Sequence, residues 1–167
     1  DREVRRPIEL EGDRGHEQRV ARVHAFGQMR QITSMVFEGI PERFPDLRIA
    51  FLEAGCGWAP YWMERMDDEY AKRAVEAPTL KKKPSDYIRS GSVYFSCEAD
   101  EWLLPQAVKL VGENQIVYAS DFPHWDHSFP GSIEEIQDRG DLTEAHKQKI
   151  LAANPPRPSG LGCTGAE

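Results

Sequence analysis

RIAFLEAGCGWAPYWMERMDDEYAKRAVE, residues 48–76, changes its periodicity once. RIAFLEA (48–54) is short, nearly continuously apolar and rich in β-branched and aromatic side chains, the pattern of a strand buried on both faces of a parallel sheet. Gly55 and Gly57 then let the backbone turn tightly before Trp58. Pro60 falls where a helix tolerates proline, in its first turn, and an amphipathic pattern follows. The stretch predicts one strand–helix unit.

Working outward, the same unit recurs. VARVHAF (20–26) reads as a strand, followed by a helix in QMRQITSMVFEGIPERF (28–44), where Ile32, Met35, Val36 and Ile40 fall at helical spacing before Pro45. SVYFSCE (92–98) reads as a third strand and DEWLLPQAVKLVG (100–112) as its helix, with Gly112 at the end. Glu98, Asp100 and Glu101 are expected to load that helix's N-terminus, where the helix dipole favours negative charge. QIVYASD (115–121) reads as a fourth strand, followed by a loop and then SIEEIQDR (132–139) and LTEAHKQKILAAN (142–154), with Thr143 as one candidate cap.

Four strand–helix units in series, with right-handed crossovers, build a doubly wound sheet or part of a (β/α)8 barrel. No glycine-rich phosphate fingerprint follows the first strand, which weighs against a nucleotide-binding doubly wound domain. The barrel is favoured by a different fact: His24, Glu53, Glu98 and Asp121 all fall late in, or at the end of, an expected strand. In a barrel those ends face one mouth, where active sites are built.

The chain has 167 residues, 40% of them hydrophobic and 29% charged, enough for one domain with its own core. No apolar run approaches the roughly 18 residues of a membrane span, and DREVRRPIELEGDRG (1–15) has no secretory leader pattern, so the expectation is a cytoplasmic protein without membrane contact. Cys56, Cys97 and Cys163 are too few and too scattered for a disulfide framework or a zinc knuckle, and are expected to be reduced thiols. A net charge of −7 argues against a nucleic-acid surface, and the one basic cluster, Lys81–Lys83, reads as a solvated loop. The boundaries expected are a charged N-terminal segment over 1–19, a barrel-type domain over 20–153, and a flexible Pro/Gly-rich tail over 154–167.

The residues that could carry chemistry gather at the strand ends. Asp121 closes an apolar run, and a buried carboxylate is costly unless a metal, a cation or several donors hold it; the alternative is an Asp that caps the next turn. His24 pairs with it as an imidazole that could bind a divalent ion, the alternative being a histidine satisfied by a backbone carbonyl. An imidazole and a carboxylate together suit zinc, which lowers the pKa of a bound water to about 7. Glu53 is a further acid at the rim, either a base, ligand or substrate contact, or a cap on the Gly55 turn. Trp58, Trp62 and Trp125 could wall an aromatic substrate pocket or serve as core, and His124 stands beside the strand exit where it could touch substrate.

HAFGQM (24–29), IPERFPDLRIAFLEAGCGWAPYWMERMD (40–67), VYFSCEADE (93–101) and YASDFPHWD (118–126), in that order, resemble the C-terminal half of the amidohydrolase-related (amidohydrolase 2) family, metal-dependent TIM-barrel enzymes similar to aminocarboxymuconate-semialdehyde decarboxylase. The resemblance runs from about His24 to Asn154. It implies about four parallel βα units of a (β/α)8 barrel and a divalent metal, most often zinc. It also implies hydrolysis or nonoxidative decarboxylation of small carboxylic acids, often aromatic or unsaturated. The family's fifth-strand metal histidine falls on His24, its eighth-strand metal aspartate on Asp121, and its catalytic sixth-strand position on Glu53, where the decarboxylases have histidine. The first-strand HxH pair of metal ligands has no counterpart, since no HxH occurs in the chain, and NPPRPSGL (154–161) replaces the family's closing helix while keeping Asn154 and Gly160.

Four parallel strands do not close a barrel, which needs about eight. The expectation is therefore an open sheet with two unpaired edges, prone to homo-oligomerise, and a metal bound weakly through two ligands. The isolated chain is expected to be weakly active or inactive. The rival reading is a nonenzymatic remnant serving as a structural or interaction module through its open edges.

Overall fold

A computed structural model describes residues 14–120, 122–123 and 130–154, with side chains from His24 onward. In chain order the elements are α1 (Arg14–Phe37), α2 (Ile40–Arg43), β1 (Ile49–Phe51), α3 (Ala59–Arg73), α4 (Pro84–Tyr87), β2 (Val93–Cys97), α5 (Leu104–Leu110), β3 (Ile116–Tyr118), α6 (Gly131–Asp138) and α7 (Glu144–Gln148), with the helical path after α7 continuing through Ala153. The three strands form one parallel sheet in the order β1-β2-β3, pairing Phe51 with Phe95 and Cys97 with Tyr118. The sheet is α/β and open, as the sequence pattern predicts.

One expected strand is corrected. VARVHAF (20–26) lies inside α1, so the described residues hold three strands and not four, and His24 sits on a helix. Glu17, Gln18, Arg19, Ala21, Arg22, Ala25, Gln28 and Met29 are good helix formers that surround and interrupt the apolar positions. A helix also closes its own backbone hydrogen bonds, whereas an edge strand beside β1 would leave one side unpaired. The helix expected over 28–44 is divided at Gly39, whose φ of 73° is a left-handed conformation that glycine adopts freely.

β2 is buried at all five positions because it is central in the sheet and covered on both faces. Phe95 anchors the core: its ring stacks on Phe51 at 5.7 Å and meets Trp58 edge-on at 5.4 Å. α3 buries Ala59, Met63 and Met66, at spacings of four and three residues, and carries Arg65, Asp68, Glu69 and Lys72 on ion pairs at its surface. Those exposed pairs add little, because water and salt screen them.

Side chains far apart in sequence fasten the helix ends. The Asp67 carboxylate accepts from the Ser85 N–H at 2.8 Å and the Ser85 hydroxyl at 2.7 Å, capping α4 from α3. Thr143 caps α7 by accepting from the His146 N–H, as expected. The Asn154 amide donates to the carbonyls of Glu113 and Ile116, which ties the end of the last helix to the start of β3. The lysine triplet lies exposed in a loop, as expected, with its charges engaged. Lys81 pairs with Glu42 at 2.9 Å, Lys83 with Asp67 at 3.4 Å, and Lys82 lies over the Tyr87 ring. The Tyr87 hydroxyl and Lys81 both donate to Glu42 and hold its carboxyl below the ordinary carboxylate range.

Candidate functional site

Parallel strands in one sheet send their C-terminal ends to one side, and the candidate acids follow that rule. Glu53 lies two residues past β1, and Glu98 directly past β2. Asp121, three residues past β3, lies outside the described residues, as do His124 and Trp125.

His24 reaches this side from α1. His24, Gly27, Gln28, Gln31 and Met35 recur at spacings of three and four, one face of the helix, and together with Ile49–Glu53 they line a groove of about 440 Å³. The structure thus brings His24 and Glu53, 29 positions apart in sequence, to the same groove, with both side chains exposed to it. The Gln28 amide spans the groove floor by donating to the Leu52 carbonyl, while its own carbonyl oxygen is buried with no hydrogen-bond partner.

Glu53 has an unusual backbone. Its φ of 63° is left-handed, and it is the one non-glycine residue with positive φ among the described residues. Such a conformation costs a bulky residue about 1–3 kcal/mol and persists only where surrounding contacts enforce it. One contact is direct: the Glu53 N–H donates to the Ser96 hydroxyl of β2 at 3.0 Å.

The next contacts come from Glu101, which corrects the expectation that Glu101 serves the N-terminus of α5. The first turn of α5 has no acidic residue, and the Glu101 carboxylate turns instead toward the loop after β1. It accepts from the Cys56 N–H at 2.9 and 3.0 Å, the Gly57 N–H at 2.5 Å, the Cys56 thiol at 3.2 Å and the Glu98 N–H at 3.4 Å. The glycines make room for it: a Cβ on Gly55 or Gly57 would stand 2.8 or 2.9 Å from Glu101 Oε1. Burial, with Glu101 alongside, pushes the Cys56 thiol far above its ordinary range, and burial pushes Cys97 up to about 12. Both are protonated, inert thiols at neutral pH.

Trp58 and Trp62 contribute more to packing than to the groove. Trp58 stacks edge-on with Phe51 and Phe95 and donates its indole N–H to the Gly55 carbonyl at 3.0 Å. Trp62 donates to the Met29 carbonyl and the Thr33 hydroxyl, fastening α3 to α1. Sequence reasoning missed the roles of Ser96 and Glu101. The signal available was GCG in the loop after β1, since two glycines around a single residue leave N–H groups open to an anion.

His24 and Glu53 have the donor chemistry for a first-row divalent ion, but two donors do not complete a shell. Among the described residues no group of three or more His, Cys, Asp or Glu side chains could hold a metal. Nor, among them, is any helix long and apolar enough to cross a membrane.

Comparison with known proteins bears on the whole arrangement. The chain is 30% identical over 128 residues to 2-amino-3-carboxymuconate-6-semialdehyde decarboxylase of Dictyostelium discoideum, which covers 74% of this chain and 34% of that protein. It therefore spans about a third of the length of that curated relative. Among solved structures it is similar in fold to an amidohydrolase from Mycobacterium avium subsp. paratuberculosis K-10, with a TM-score of 0.67 at 19% identity over 79% of this chain and 33% of that one. A dihydroxybenzoic acid decarboxylase from Polaromonas sp. JS666, solved with bound manganese and the inhibitor 2-nitroresorcinol, gives a TM-score of 0.67 at 22% identity over 84% of this chain and 42% of that one. A 5-carboxyvanillate decarboxylase from Sphingomonas paucimobilis gives 0.64 at 22% identity over 75% of this chain and 37% of that one. The family model described as Amidohydrolase (Amidohydro_2) matches residues 19–157, a span that contains β1, β2 and β3, the groove and the Glu101 contacts, and the chain belongs to that family.

Proposed function

We propose that this chain carries the C-terminal part of a metal-dependent amidohydrolase-type site. The site acts on a small carboxylic acid, aromatic or unsaturated, by hydrolysis or nonoxidative decarboxylation. The observation that carries the reading is the meeting of His24 and Glu53 in one groove that runs along β1 and past its C-terminal end, within a chain of this family. His24 and Asp121 are the metal ligands of this reading, and the bound ion, zinc or the manganese seen in the Polaromonas enzyme, supplies Lewis acidity. Glu53 is the acid or base of the step in this reading. His124 and Trp125 are the substrate contacts of this reading, while Trp58 serves the aromatic core. With two protein ligands the chain by itself binds metal weakly and turns over slowly or not at all.

Calorimetric titration with zinc and with manganese tests the ligand assignment. Weak binding that disappears in both His24→Ala and Asp121→Ala is the expected result. Equal binding in the parent chain and in both variants overturns the assignment, and tight stoichiometric binding by the parent chain overturns the two-ligand site. Dihydroxybenzoic acid and 5-carboxyvanillate serve as turnover probes, for which Glu53→Gln should remove whatever rate the parent chain shows.

A second reading rests on the sheet edges. Among the described residues β1 and β3 each pair on one side only, so a chain that binds no metal fits an interaction module or homo-oligomer joined through those edges. Size-exclusion chromatography with metal analysis of the same peak separates the two readings.

A further inference from the structure

We propose that Glu101, acting with Ser96, is the positioning residue that holds Glu53 in its left-handed conformation and aims it into the groove. The inference rests on the reading of Glu53 as the working acid or base.

Glu53 gains nothing locally from a φ of 63°, so the conformation must be imposed from outside its own segment. Both restraints come from β2 and its exit. Ser96 takes the Glu53 N–H on one side. On the other, three and four residues further along the chain, the Glu101 carboxylate takes the N–H groups of Cys56 and Gly57. Between these two anchors the backbone has only Ala54 and Gly55 to adjust, and Gly55 is itself left-handed at φ 62°. A carboxylate is the group suited to the second anchor. Every contact it makes here is with a donor, and an ionised carboxylate offers only acceptors. Glutamine at 101 would turn an N–H2 group toward one of those donors.

The same carboxylate also holds its own segment, through the Glu98 N–H. The exits of β1 and β2 are thereby fixed relative to each other, which is the geometry a base in the groove requires.

The test is made on the chain itself by NMR, following site-resolved amide exchange and the 13C resonance of the Glu53 carboxyl. In Glu101→Gln, exchange at Cys56 and Gly57 should rise by about tenfold or more, the range for hydrogen bonds to a charged acceptor. The Glu53 amide should exchange faster as well and its carboxyl resonance should move, although neither atom touches Glu101. Glu101→Asp, which keeps the charge, should restore part of both changes. If Cys56 and Gly57 respond while the Glu53 amide and carboxyl stay unchanged, Glu101 only stabilises the loop, and the proposal is overturned. If Glu101→Gln does not fold, Ser96→Ala tests the same coupling from the other anchor: its effect must reach the Glu53 carboxyl resonance, and an unmoved resonance overturns the proposal. None of these readouts needs turnover, so a Glu53→Gln variant that keeps full activity would defeat the catalytic reading and leave the positioning result to be judged separately.

Discussion

The two flanks of β1 are built by different physics. On the β2 side the strand is paired along its length, Phe51 stacks on Phe95, and the loop that follows is held by Ser96 and Glu101. On the α1 side lies a groove of about 440 Å³, crossed by the Gln28 amide and edged by exposed His24 and Glu53. Packing and satisfied backbone groups are concentrated on one flank, and exposed titratable chemistry on the other. The contrast is expected where a rigid scaffold presents reactive groups at its margin, because a fully buried His or Glu would lose its charge or require a partner.

The contrast breaks first, if it breaks, at Phe95. Phe95→Ala should cost about 3–5 kcal/mol, because a fully buried ring in contact with two others leaves a cavity that the sheet cannot close. Urea unfolding followed by circular dichroism measures it, and a loss below about 1 kcal/mol would mean that the aromatic stack is not the core of this flank.

Gly55→Ala should follow, at about 1–3 kcal/mol, since the new Cβ meets both a left-handed backbone and the Glu101 oxygen at 2.8 Å. The same denaturation series reads it, and an unchanged midpoint would show that the loop relaxes around the carboxylate.

The buried thiols sharpen the contrast through pH. Cys97 titrates at about 12 in the folded chain against an ordinary value of 9.0, so between those pH values the unfolded chain releases a proton that the folded chain retains. The stability from this group is complete below pH 9 and falls as pH rises, by about 1 kcal/mol at pH 10. Unfolding midpoints at pH 7, 9 and 10 should decline less steeply in Cys97→Ala than in the parent chain. A parallel decline would show that Cys97 is not the titrating group.

The smallest effect is expected on the open flank, where His24→Ala should change stability by no more than about 0.5 kcal/mol, since the side chain is exposed. A thermal shift of many degrees would show that His24 is structural, and the contrast between the flanks would fail.

Much of the scaffold is legible in the chain. IAF, VYFSC and IVY are short apolar runs that buried parallel strands demand, and Pro60, Gly112 and Thr143 mark helix ends through constraints that act within a few residues. VARVHAF misleads because five apolar residues among seven suit a strand or a helix equally, and the choice depends on its neighbours in space and on the helix-forming residues around it.

The site divides in the same way. Glu53, at the close of an apolar strand, draws attention from sequence alone because a carboxylate there is costly without a purpose. That Glu53 shares a groove with His24, that its backbone is left-handed, and that Ser96 and Glu101 hold it there were decided by tertiary structure. Local patterning determines what a segment can form, because propensity, capping and turn chemistry act over a few residues. The contacts that hold Glu53 join residues 43 to 45 positions apart, and such pairs exist only once the sheet has brought β1 and β2 side by side.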